Sequence, residues 1–228
     1  MTPYEIGLYF NYLTSYSVLI PLFFFLRKRE SFNNPVLILL ASILLLVGIT
    51  DILCHLMSFE WKVSNIPVAN IEFIVEFILI SWLYVLFCPP LKKLISIAVP
   101  CSIIFFIINS IYLQPIGTYQ NFNRLIVSLL IIAYSIIYDI HLVRNLPADN
   151  LWRYGPFWIV AAFLCGFTLN LFIFALSNYV FRELPKEMAI VFWMFHGFND
   201  LLKNVLLAVG IYYVSDSKSS VIRRVSYI

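Results

Sequence analysis

The sequence predicts an all-α, polytopic membrane protein: a single bundle of seven transmembrane helices spanning residues 1–228, with the N-terminus outside and the C-terminus in the cytoplasm. Two observations carry the class. Hydrophobic residues make up 62% of the chain and charged residues 12%, at a mean hydropathy of +0.91. A soluble globule carries about 25% charged residues, so too few charges remain here to cover a water-facing surface. The apolar residues also fall into seven stretches, each close to the roughly 20 residues needed to cross a bilayer core about 30 Å thick. The distribution of lysine and arginine then sets the orientation. The expected location is the cell membrane, as a multi-pass protein, with the lipid bilayer itself as a partner. A net charge of +3 is too small to argue for nucleic acid.

The first span covers about 6–26. No lysine or arginine precedes it and it lacks a small-residue cleavage site, so it reads as a membrane span rather than a signal peptide. Spans follow at about 36–58, 67–87, 93–113, 122–143, 156–178 and 187–213. Pro35, Pro67, Pro156 and Pro185 stand at or just before span starts, where a missing N–H costs nothing. Pro21 and Pro100 fall inside spans and predict kinks. The four cysteines, Cys54, Cys88, Cys101 and Cys165, all lie in apolar stretches and read as small packed side chains.

One set of loops holds Arg27, Lys28, Arg29, Lys92, Lys93, Arg144, Arg153, Lys218, Arg223 and Arg224; the opposite set holds Lys62, Arg124, Arg182 and Lys186. The positive-inside rule places the richer set in the cytoplasm. No loop reaches the size of a folded domain. Any signalling output would need a separate cytoplasmic partner.

Within this apolar chain the buried charges stand out, because each ionisable group at mid-bilayer costs about 2.5–3.5 kcal/mol on insertion scales. Asp51 and His55 lie four residues apart in the second span, Glu72 and Glu76 in the third, and His196 and Asp200 in the seventh. That spacing puts each pair on one helical face. Asn199, Lys203 and Asn204 extend the last stripe, and Asn11, Ser15 and Asn170 add polar groups in the first and sixth spans. The three stripes share the outer half of the bundle, so they can converge in one cluster. Four acids against Lys203 leave a negative surplus that a dry interior does not hold. Protons, water or a bound cation must answer it.

Several functions meet that demand. A binding or sensing protein for a small molecule or lipid requires least, with Glu76, Asn170, Asn199, Lys203 and Trp193 as the ligand-binding set and Phe73, Phe195 and Phe198 as further aromatic walls. A metal site is the second option. His55, His196 and Asp200 supply nitrogen and oxygen ligands suited to zinc. A zinc ion with an open position activates water for amide or ester hydrolysis.

The layout Asp51-x3-His55, then Glu72 or Glu76, then His196-x3-Asp200, in the second, third and seventh spans, resembles the seven-helix hydrolase superfamily of alkaline ceramidases and progestin/adiponectin-type receptors. Those proteins carry Ser-x3-His, an acid and His-x3-His in the same helices. Here Asp51 replaces the serine and Asp200 one histidine. The resemblance implies zinc on His55, His196 and Asp200, with Glu72 or Asp51 orienting the catalytic water for lipid hydrolysis. Proton-coupled transport is a third option, since carriers use paired carboxylates with histidine and lysine at mid-membrane. Retinal on Lys203 fits less well, because Asp200 precedes it by three residues rather than the four of microbial rhodopsins.

Overall fold

The computed structural model describes residues 3–27, 32–145 and 150–216, and every regular element among them is helical. The first span is two helices, α1 (Pro3–Ser15) and α2 (Leu19–Arg27), joined by a 3-10 turn at Tyr16–Val18. Pro21 accounts for the break. It lacks the N–H that would bond the Ser17 carbonyl, and its ring crowds that oxygen. There follow α3 (Pro35–Phe59), α4 (Ile66–Phe87), α5 (Lys92–Ile108), α6 (Asn121–Asn145), α7 (Gly155–Glu183) and α8 (Lys186–Asp216). Asn34 caps α3, its side chain accepting the Val36 N–H at 3.0 Å. α5 stays helical past Pro100 and loosens into a π turn at Asn109–Leu113.

Six helical stretches are long and apolar enough to cross a membrane: Glu5–Arg27, Pro35–Phe59, Ile66–Phe87, Pro89–Leu113, Asn121–Asn145 and Gly155–Glu183. α8, with 31 residues, exceeds all of them in length but falls outside that set. Its middle carries His196, Asn199, Asp200, Lys203 and Asn204 in close succession. Of the residues that set the orientation, Lys28, Arg29, Lys218, Arg223 and Arg224 lie outside the described residues.

α8 is the hub. It packs along α7 in antiparallel fashion and along α1 and α2 in parallel, while α4 lies between α3 and α6. Two glycines set the α7–α8 spacing. A Cβ on Gly210 would meet Ile159 Cγ1 at 2.6 Å, the Ile159 nitrogen at 3.1 Å and the Gly155 carbonyl at 3.2 Å. Such small residues let helix backbones approach closely. Leu40, Ile80, Leu83, Ile131, Ile159 and Ile211 are fully buried between these helices. The first span is tied to α8 where its helix breaks, the Asn204 amide donating to Ser17 Oγ at 2.7 Å.

The upper end of the bundle, where α4, α6 and α8 begin, is closed by amides. Asn70 on α4 donates to the carbonyls of Ile116 and Thr118 at 2.9 and 2.8 Å. Gln120 donates to Ser110 Oγ and the Gln114 carbonyl, and Gln114 donates to Asn121. These bonds satisfy the 114–120 connection, which would otherwise leave its backbone polar groups unpaired.

Candidate binding chamber

The polar stripes of α3, α4 and α8 do meet. Two adjoining cavities, of about 260 Å³ and about 110 Å³, share Asp51, Glu72, Arg124, His196, Asp200 and Lys203 as wall residues. Glu76 and Asn170 line the smaller and Trp193 the larger. Spacing accounts for the convergence. Residues four apart turn the same way, and the antiparallel α3–α4 pair brings Asp51 level with Glu72.

Lys203 is the cation at the floor. Its Nζ lies 3.3 Å from Asp200 Oδ1 and 3.9 Å from Glu76 Oε1. Gly166 on α7 provides the space: a Cβ there would meet the Lys203 stem at 3.1–3.4 Å. On the other side of Asp200, His196 Nε2 lies 3.4 Å from Oδ2. Its Nδ1 lies 3.0 Å from Asn170 Oδ1, which also accepts from Asn199 Nδ2 at 3.1 Å. An amide oxygen only accepts, so His196 donates from Nδ1. Asn199 is buried and walls neither cavity; its part is to brace Asn170.

Arg124 belongs to this cluster, which corrects its assignment to an outer loop. It sits in the first turn of α6, 7% exposed, and reaches inward. Its Nη2 donates to the Ala69 carbonyl at 3.0 Å, and its Cζ lies 4.4, 4.6 and 5.5 Å from the ring centres of Phe73, Tyr119 and Phe174. A desolvated cation over an aromatic face gains about 2 kcal/mol, enough to help keep a guanidinium among rings. Its Nε is buried with no partner among the described residues. Four acids therefore face two cations rather than one. Polarity in the flanking Gln120, Asn121 and Asn123 was the available signal.

Asp51 and Glu72 differ from the other acids. Both face the two cavities, and neither forms a hydrogen bond or ion pair with another described residue. Asn11 Oδ1, at the edge of the larger cavity, is likewise buried without a donor. The chamber thus presents two carboxyl groups without direct partners among the described residues.

Two expectations fail. His55 does not join His196 and Asp200: it stacks on Phe59 (centroids 4.7 Å apart) and meets Tyr12 edge-on at 5.3 Å. Among the described residues no three His, Cys, Asp or Glu side chains assemble as metal ligands, so the expected zinc set is not brought together. A turn from Asp51 points His55 toward α1, away from α8. Phe195 and Phe198 are also misplaced. Both are exposed on the outer flanks of α8; the expected Phe73 and Trp193 do line the cavities, joined by Phe167, Phe174 and Tyr119.

Two further cavities adjoin the chamber. One, of about 500 Å³ at the upper end, shares Asn65, Ala69, Tyr119 and Trp193 with it. The rings of Tyr119, Phe181 and Trp193 pack there with centroids 5.3–5.9 Å apart. Burial pushes the Tyr119 phenol up to about 12, so it stays a neutral donor. The other, of about 560 Å³, runs between the first span and α3 and shares Asn11, Ser15, Asp51 and Trp193 with the chamber.

The chamber is known from its geometry alone, for the chain matches no protein-family model, no curated protein and no solved structure.

Proposed function

We propose that this chain is a cell-membrane protein of seven spans, N-terminus outside and C-terminus cytoplasmic, that binds a small donor-bearing molecule in its chamber and acts as a receptor or sensor. Membrane residence is supported by six apolar helices and by large exposed side chains such as Phe23, Ile49, Trp82, Ile97 and Phe172. α8 is the seventh span under this reading, its polar face turned inward. Moving Arg124 out of the outer loops sharpens the charge asymmetry that sets orientation.

The observation that carries the binding role is the pair Asp51 and Glu72, wall residues of both cavities with no hydrogen bond or ion pair to another described residue. A carboxylate away from bulk water and without a contacting cation carries a desolvation cost of several kcal/mol. A guest that donates hydrogen bonds or carries positive charge removes that cost, and its binding draws on the same energy. Hydrolysis by zinc would need His55 beside His196 and Asp200. His55 faces the groove beside α1 instead.

The test uses protein in phosphatidylcholine nanodiscs, with tryptophan fluorescence read against a Trp193→Phe control. Ethylammonium and guanidinium should give a saturable change and acetate none, and the Asp51→Asn/Glu72→Gln double variant should lose the response. Equal responses to acetate, or a response unchanged in the double variant, would overturn the reading. Flux of the same probes into proteoliposomes would move the assignment from sensing to transport.

A further inference from the structure

The groove between the first span and α3 joins the chamber to the exposed, apolar flank of the bundle. Its floor and rim differ in character. At the rim stand Tyr16, Leu19, Leu45, Ile49 and Ile52, all exposed side chains. At the inner end stand Asn11, Ser15 and Asp51, polar residues that it shares with the chamber along with Trp193.

Packing explains why the groove exists. The first span lies on α8, held by Asn204 to Ser17 and by Gly197, where a Cβ would collide with Thr14 Oγ1 at 2.5 Å. It touches α3 little by comparison. On α3 the groove passes Gly48, whose absent side chain widens it; a Cβ there would meet only Val18 Cγ1, at 3.4 Å. The volume, about 560 Å³, falls in the range of about 300–1,000 Å³ typical of small-ligand sites.

We infer that the ligand is a single-chain amphiphile ending in a primary ammonium, which reaches the chamber sideways from the bilayer with its chain in the groove and its head at Asp51 and Glu72. This names the ligand class for the binding role above and rests on it. Charge complementarity selects the head. An ammonium has three donors, and Asp51 and Glu72 face the chamber with no hydrogen bond or ion pair to another described residue. Glu76, 6% exposed, adds negative potential behind them, since its nearest cation is Lys203 at 3.9 Å. A carboxylate head coming along the groove would meet Asp51 first and be repelled, because Lys203 and Arg124 line the chamber and not the groove. The other cavity that adjoins the chamber lies at the upper end of the bundle, by Asn65, Tyr119 and Trp193, so this groove by itself seats one chain.

The experiment uses the full chain in phosphatidylcholine nanodiscs, with bromine-labelled dodecylammonium and bromine-labelled dodecanoate as quenchers of Trp193. Dodecylammonium should quench saturably and at least about tenfold more tightly than dodecanoate, a difference of one decade in dissociation constant. Gly48→Leu fills the groove without entering the chamber. It should abolish dodecylammonium quenching while leaving the ethylammonium response intact. Equal quenching by amine and carboxylate overturns the head assignment. Dodecylammonium binding unaffected by Gly48→Leu overturns the lateral route. An ethylammonium response with no gain from the dodecyl chain overturns this inference and leaves the chamber reading standing, whereas no response to any ammonium overturns both. Displacement of dodecylammonium by phosphatidylethanolamine in the disc would assign the site to a two-chain lipid and overturn the single-chain occupant.

Discussion

Replacing Lys203 by methionine keeps the stem's length and packing against Gly166 but removes the charge at the chamber floor. The ammonium stands 3.3 Å from Asp200 and 3.9 Å from Glu76. At an effective dielectric near 20 those distances correspond to attractions of about 5 and about 4 kcal/mol. Most of each is offset by desolvation. The net effect is best gauged from broken buried pairs, which cost about 3–5 kcal/mol. Lys203 is 15% exposed and Asp200 30%, so solvent screening is modest and the lower half of that range is expected. The assay is reversible unfolding in mixed SDS micelles, followed by helical circular dichroism and run as a double-mutant cycle. Lys203→Met should destabilise strongly. Adding Asp200→Asn should recover about 1–3 kcal/mol of the loss, because contacting charges couple within that range. Adding Glu76→Gln should recover less, since its oxygen lies farther away. A Lys203→Met cost below about 1 kcal/mol, the usual worth of an exposed pair, would refute the idea of a desolvated cluster. So would a coupling to Glu76 larger than that to Asp200.

Arg124 and the α7–α8 seam give two further tests. Arg124→Met should destabilise by about 2–4 kcal/mol, from a charged hydrogen bond worth about 1.5–3 kcal/mol and ring contacts worth about 2 kcal/mol. Arg124→Lys should recover only part, because an ammonium cannot reproduce the guanidinium's contacts with several rings at once; full recovery in the same unfolding assay would contradict the contacts with Phe73 and Tyr119. Gly210→Leu should cost at least about 1–3 kcal/mol by overpacking against Ile159. Gly117→Ala is the control, since nothing lies within 4 Å of a Cβ there, and comparable losses from the two would show that the seam is looser than the structure has it.

Much of the helical layout was legible in the sequence. Runs of apolar residues bounded by Pro35, Pro67, Pro156 and Pro185 located α3, α4, α7 and α8, and the spacing of Glu72 with Glu76 or His196 with Asp200 assigned one face to each pair. Arg124 was not legible, because a residue in the first turn of a helix can point to solvent or inward. Neighbours on α4 and α7, far away in sequence, decide which. His55 failed for a related reason: the face it shares with Asp51 is wide enough to touch both the chamber and the groove, and only the position of the first span separates them. Phe195 and Phe198 were misread because their sequence neighbourhood with His196 and Asn199 hid a rotation of about 100° per residue.

The sequence by itself determined that the chain forms apolar helices, where most of them begin and end, and which side chains share a stripe. These are local matters, because a backbone without water must satisfy its hydrogen bonds within its own segment, and period and capping are written in adjacent residues. The tertiary structure alone decided that Arg124 turns inward, that Asp51 and Glu72 find no hydrogen bond or ion pair among the described residues, and that the first span sides with α8 and leaves a groove along α3. Those features depend on how helix surfaces fit one another. Between apolar helices, contact shape rather than hydrophobic difference selects the partner, and shape exists only once the helices are assembled.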